Sequence, residues 1–125
     1  MPSCLELCFQ LSKKKAKGDV ITRVKVNPGV CGYVANVEVT EVDEDTVRIN
    51  VETGCDAVNG MFQALGDTFE VFDICLNKPG SGPFYDYARE NFPGHASCIM
   101  IPAILKAVEA ECHLALEKDC SIEFE

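Results

Sequence analysis

The spacing of the apolar residues changes near residue 53, and this change restricts which folds the chain can adopt. Before it, valine and isoleucine alternate with polar residues in three segments, 20–26, 33–42 and 46–53. A period of two is typical of half-buried strands. Three acidic residues separate the second and third segments, so these are predicted to form a hairpin across Asp43–Asp45.

After residue 53 the apolar residues take the spacing of helices. A first helix is predicted to start near Cys55 and stop at Gly66, and a second to run from an N-cap at Thr68 to Leu76. Pro83 is well placed to open a third helix over 84–91. The longest helix is predicted over 102–117, and a last strand over 121–124 is expected to return to the sheet edge.

Strands followed by helices indicate an α+β fold: an antiparallel sheet of three to five strands, covered on one face by C-terminal helices. A chain of 125 residues fits one core. We therefore expect a single α+β domain over residues 20–125. Residues 1–19 are predicted to be an N-terminal extension or edge strand, with apolar residues alternating over 4–11, followed by a Lys-rich linker at 13–17.

The charge of the chain excludes two classes of partner. Eleven Lys and Arg face 20 Asp and Glu, and most of the basic residues precede residue 26, so the rest of the domain is more acidic still. Such a surface repels nucleic acid and anionic lipid. No apolar stretch is long enough for a membrane span. Protein partners remain open, as does the oligomeric state.

Eight cysteines are more than an ordinary cytosolic protein carries. The N-terminus lacks a basic region and contains Glu6 within its apolar run, so it does not resemble a signal peptide. We therefore expect a cytoplasmic protein with reduced thiols. In that compartment, excess cysteine indicates metal binding or thiol chemistry before structural disulfides.

Sequence context separates these cysteines into three groups. Cys112 and Cys75 lie on apolar helix faces and are interpreted as core residues, with a ligand role for Cys75 left open. Cys4, Cys8 and Cys120 lie near the chain ends and are interpreted as sheet-facing or surface thiols. Three others lie at breaks between predicted elements, where loops present ligands: Cys31, Cys55 and Cys98.

His95 lies three residues before Cys98 and completes a candidate metal site. Cys55 and Cys98 each precede a predicted helix, whose N-terminal dipole favours the thiolate. Three thiolates and an imidazole suit Zn²⁺, and they are also a mixed ligand set for an iron–sulfur cluster. The leading hypothesis is thus a metal-binding protein that holds Zn²⁺ or a cluster; it assigns no catalytic residue and leaves enzyme activity open.

Three alternatives remain open at the level of sequence. The first is a reduced cysteine-rich domain that binds no metal. The second is a thiol redox protein or enzyme that uses Cys55 or Cys98 as the reactive thiol and His95 as the base. The third is a module that binds another protein. In the last case the acidic surface and the aromatic residues Phe84, Tyr85 and Tyr87 would engage a partner protein.

Two resemblances bear on this choice. The chain contains Cys31-Gly32, then Thr53-Gly54-Cys55, and then His95 and Cys98 ahead of Ala103-Ile104-Leu105-Lys106-Ala107. This order of motifs resembles that of iron–sulfur cluster scaffolds of the NifU/IscU type. That resemblance implies a ligand role for Cys31, Cys55 and His95, and a cluster scaffold or carrier function. The sequence looks still closer to a family of short, uncharacterised prokaryotic proteins with the runs Asn27-Pro28-Gly29-x-Cys31-Gly32 and His95-Ala96-x-Cys98, which implies no activity.

Overall fold

The computed structural model describes residues 21–125, which form a four-stranded antiparallel sheet and four helices. The α+β prediction is confirmed. The predicted N-terminal extension, including the alternating segment 4–11 and the Lys-rich linker, lies outside the described residues. In chain order the elements are β1 (Thr22–Val26), β2 (Ala35–Asp43), β3 (Thr46–Thr53), α1 (Asp56–Leu65), β4 (Thr68–Glu70), α2 (Val71–Cys75), α3 (Pro83–Asn91) and α4 (Met100–Glu111).

The sheet is a meander with the strand order β1-β2-β3-β4. In the middle of β2 and β3 buried residues alternate with more exposed ones, because strand side chains alternate between the two faces. Val37, Val39, Val47 and Ile49 lie on the inner face and are almost completely buried. The three long strands and the β2–β3 hairpin were predicted correctly, because alternation of branched apolar residues is a local signal.

Helices α1 and α3 pack on the inner face of the sheet through a group of aromatic rings. The ring of Phe62 on α1 lies 5.7 Å from that of Phe84 on α3, measured between centroids, and the ring of Phe69 on β4 lies 4.9 Å from that of Phe84. Phe84 is buried, and Tyr85 and Tyr87 pack against the core. Phe84 therefore belongs to the core, whereas Tyr85 and Tyr87 are only partly buried against it.

The predicted helix from Thr68 is wrong at its start. Thr68–Glu70 pairs with Thr46–Arg48 as β4, and Phe69 lies opposite Val47. Pairing with β3 gives this short segment a period of two, with Phe69 partly buried between two exposed neighbours. The helix begins only at Val71.

Helix α4 crosses β1 and β2 and is shorter than the predicted 102–117. It begins two residues before Pro102, which a helix tolerates because the first-turn N–H groups have no intrahelical acceptor. It ends at Glu111, a carboxylate only 1% exposed. Glu111 accepts hydrogen bonds from the Thr22 hydroxyl at 2.7 Å and the Glu41 N–H at 3.0 Å. The chain turns away at His113, which has a φ of 59°.

The predicted strand over 121–124 is also wrong. Residues 116–125 have no regular structure, and the side chains of Ile122 and Phe124 are exposed. The alternation is present in the sequence, but no described strand lies beside it, so its backbone groups are left to water.

None of the helices in residues 21–125 has the length and apolar character needed to cross a membrane.

Candidate functional site

The turn between β1 and β2 presents the first candidate ligand. The Asn27 side chain accepts a hydrogen bond from the Gly29 N–H at 3.1 Å, and the Gly32 N–H donates to the Gly29 carbonyl at 3.0 Å. Gly29 and Gly32 have φ values of 89° and 74°, a region that glycine adopts without strain. The turn therefore closes tightly and leaves Cys31 exposed at its tip.

Cys55 occupies the corner between β3 and α1. Its N–H donates to the Thr53 hydroxyl at 3.2 Å, and its carbonyl accepts the first helical hydrogen bond from Asn59. The Asn59 side chain also donates to the Thr53 carbonyl at 3.0 Å. Cys55 is thus the N-cap residue of α1, but its half-buried thiol makes no capping hydrogen bond.

Tyr33 joins the turn to this corner. Its ring lies against Gly54, where an added Cβ would be 3.3 Å from the ring atom Cδ1. In the sheet register Ala35 lies opposite Thr53, so the segment that follows Cys31 and the one that precedes Cys55 are neighbours. Because Gly54 has no side chain, the Tyr33 ring can lie against its backbone. The sequence patterns did not predict this contact.

His95 and Cys98 lie in the segment between α3 and α4. The Cys98 N–H donates to the His95 carbonyl at 3.2 Å, which forms a turn. His95 is exposed, whereas Cys98 is half-buried and packs against the core. Two residues after Cys98, α4 begins.

The direction of α4 determines where this segment lies. The last turn of α4 is bonded to Thr22, at the start of β1, and to Glu41, near the end of β2. Because the helix crosses these two strands, its first turn lies toward the other end, where β1 ends and β2 begins. The turn 27–34 and the corner 53–56 are neighbours, and the direction of α4 places the segment 92–99 toward the same end of the sheet. We call this end, with its three segments, the thiol end.

The structure does not gather the four predicted ligands into a coordination site. No group of three or more His, Cys, Asp or Glu side chains within residues 21–125 is arranged to hold a metal ion. Residues Cys31, Cys55, His95 and Cys98 share an end of the domain, and their donor atoms suit a soft metal. The residue types thus fit the predicted cofactor, while their side chains are not in coordination geometry.

The charge near the corner favours a cation. Asp56 opens α1 directly after Cys55, and its side chain is exposed. A carboxylate beside thiol groups attracts a metal cation and repels phosphate.

The other described cysteines serve other purposes. Cys112 is buried in the core, as predicted, and Cys120 is exposed in the C-terminal tail. Burial raises the pKa of the Cys75 thiol from its usual 9.0 to about 12, and the nearby carboxylate of Glu109 adds to the rise. A thiol held protonated in this way is a poor metal ligand, since the thiolate is the coordinating form.

Comparison with known proteins identifies the family. A protein-family model described as a family of unknown function (DUF6951) matches residues 22–124. The chain belongs to this family. The DUF6951 match begins at the first residue of β1 and ends on Phe124, so it includes the thiol end, the buried Glu111 and most of the C-terminal tail. No curated protein and no solved structure matches the chain.

Proposed function

We propose that this chain binds a thiophilic metal, either Zn²⁺ or an iron–sulfur cluster, at the thiol end. Cys31, Cys55 and Cys98 would supply thiolates and His95 the fourth ligand. The observation that supports the proposal is the position of the three thiol-bearing segments toward the same end of the sheet. Loss of any one of them would leave fewer than the four ligands that a closed tetrahedral site needs.

Binding would have to bring the ligands together. Zinc–sulfur bonds are about 2.3 Å long. Cys31 lies at the tip of an exposed turn, and residues 93–97 are exposed and lie outside helices and strands. Both segments can approach Cys55 without breaking a strand or helix. Part of the binding free energy would then be used to order them, so metal should stabilise this end of the domain.

The two candidate cofactors imply different roles. Zn²⁺ held by four protein ligands supports structure and leaves no position for a substrate. An iron–sulfur cluster with one histidine ligand is held less firmly, because imidazole can be protonated. This second role is the one implied by the resemblance to NifU/IscU scaffolds. In either case the protein would hold its metal and not turn over a substrate, in the reducing cytoplasm.

The test is metal and sulfide analysis, with an absorption spectrum, on protein purified anaerobically without added metal. Iron with inorganic sulfide would support a cluster carrier, and one zinc per chain would support a zinc site. Cys31→Ser and Cys55→Ser are each expected to abolish binding. The matched control is Cys120→Ser, which removes an exposed thiol from the tail. Unchanged metal content in the Cys31 and Cys55 variants would exclude the proposed site.

A second candidate function is thiol chemistry at Cys55. It is favoured by the position of this residue at the N-cap of α1 with a thiol that makes no capping bond. The position leaves the sulfur beside the free N–H groups of the first helical turn, where it could attack an electrophile. Metal-free protein with one rapidly alkylated cysteine at Cys55 would support this function, and uniformly slow alkylation of all thiols would exclude it.

A further inference from the structure

Among the described residues, the outer side of β1 is an open sheet edge. In the order β1-β2-β3-β4, β1 is outermost and pairs with β2 on its other side. Within residues 21–125 no strand covers the outer edge. Every second residue of an edge strand directs its N–H and C=O away from the sheet, and such groups readily accept a further strand.

The C-terminal tail has the pattern of a strand without a neighbour. From Ser121 to Glu125 apolar and polar residues alternate, with Ile122 79% and Phe124 100% exposed. None of the hydrogen bonds among the described residues involves the backbone of this segment. A fully exposed phenylalanine gains free energy from any contact that removes it from water.

We propose that the tail of one copy of this chain adds as an antiparallel strand to β1 of a second copy. Charge determines which faces match, because the exposed residues Arg23 and Lys25 of β1 are basic and the alternate residues of the tail are acidic. The antiparallel direction is the one that every other strand pair of the sheet adopts. In the antiparallel register Glu123 lies opposite Lys25, and Phe124 lies opposite the half-buried Val24. The same register places Ile122 opposite Val26 and Glu125 opposite Arg23.

This register pairs charged residues on the outer face of the sheet and apolar residues on the inner face. Opposite charges on directly facing residues stabilise antiparallel pairs. Arg23 already pairs with Glu38 on β2 at 3.2 Å, whereas Lys25 has no ion pair among the described residues. Glu123 would give Lys25 a partner. On the inner face, Phe124 would cover Val24, which is only partly buried at the sheet edge.

Within the described residues the tail does not pair with β1 of its own chain, so a second copy offers it the same basic strand. In the single chain the tail is exposed along its whole length from residue 116. Exchange of two identical tails gives a closed dimer with two equivalent contacts, the commonest symmetry of soluble oligomers. Both β1 and Phe124 lie within the residues that the DUF6951 model matches. The proposal is independent of metal binding.

The test uses charge reversal in the full chain, under reducing conditions that prevent disulfides through Cys120. Sedimentation equilibrium should show a dimer that dissociates on dilution. Lys25→Glu and Glu123→Lys should each raise the dissociation constant about tenfold, since each places like charges opposite each other twice per dimer. An equal mixture of the two variants should restore wild-type affinity, because a mixed dimer contains only opposite-charge pairs.

Charge reversals on two helices, away from β1 and the tail, serve as matched controls. Lys106→Glu reverses an exposed charge on α4, and Glu90→Lys does so on α3, and neither should change the dissociation constant. Failure of the mixture to recover affinity would overturn the exchange between copies. A wild-type chain that is monomeric at every concentration would do the same. Hydrogen exchange that protects β1 equally at all concentrations would instead show that a segment of the same chain covers the edge, and would also overturn the proposal.

Discussion

Replacement of Glu111 by alanine should destabilise the domain more than any exposed substitution. The Glu111 carboxylate is buried and accepts hydrogen bonds from Thr22 and from the Glu41 N–H. Alanine would leave both donors without this acceptor and would open a space at the end of α4. The variant therefore tests whether this carboxylate fixes the position of α4 on the sheet.

The two hydrogen bonds give the expected magnitude. A buried donor that loses its acceptor costs about 1 to 3 kcal/mol. Two such donors, with partial relief because the Thr22 hydroxyl can rotate, give a loss of about 3 kcal/mol in the free energy of unfolding. For a domain of this size that loss lowers the Tm by about 10 °C. Glu111→Gln keeps the shape and one acceptor, so its loss should be about half as large.

Urea denaturation followed by circular dichroism measures these changes. The matched control is Glu90→Ala, which removes an exposed glutamate from α3 and should change the free energy of unfolding by less than about 0.5 kcal/mol. A double-mutant cycle between Thr22→Val and Glu111→Gln should show coupling of about 1 kcal/mol. A loss at Glu111→Ala no larger than that of the control would refute the anchoring role of this carboxylate.

Four further predictions concern other parts of the domain. Because the pKa of Cys75 is raised to about 12, iodoacetamide at neutral pH should alkylate Cys75 far more slowly than Cys31, as read by peptide mass spectrometry. Stability should also fall as pH rises above 9.0, since the unfolded thiol releases its proton before the folded one, and Cys75→Ser should flatten that fall. Gly54→Ala should displace the Tyr33 ring and cost under about 1 kcal/mol, with the displacement visible in ring proton chemical shifts; an unmoved ring would contradict the contact. Phe84→Ala should cost about 3 to 5 kcal/mol in urea denaturation, and a loss below about 1 kcal/mol would show that the aromatic core is mispositioned.

Much of the fold follows from local sequence patterns, and the errors lie where distant contacts override them. The strands of the meander and the helix before Gly66 depend on alternation and turn residues close in sequence. Thr68–Glu70 became a strand only because β3 lies beside it. The end of α4 depends on Glu111 and its partner Thr22 at the far end of the described chain. No window of neighbouring residues contains that information.

In the candidate site, too, some positions follow from local sequence patterns and others depend on distant contacts. The proximity of the Cys31 turn to Cys55 follows from the register of consecutive strands, which sequence patterns can predict. The position of Cys98 depends on which way α4 lies across the sheet, and packing decides that direction. The ligand role of these residues remains a prediction, because coordination depends on where side chains come together during binding.

The bond between Thr22 and Glu111 also bears on how the domain folds and how long it stays folded. It joins residues 89 positions apart, whereas β1, β2 and β3 pair with close neighbours along the chain. Because closing a long loop costs more entropy than closing a hairpin, we expect the meander to form first and α4 to dock after the rate-limiting step. Weakening this bond should then speed unfolding and leave the folding rate nearly unchanged. The lifetime of the thiol end would be governed by a contact at the opposite end of the sheet.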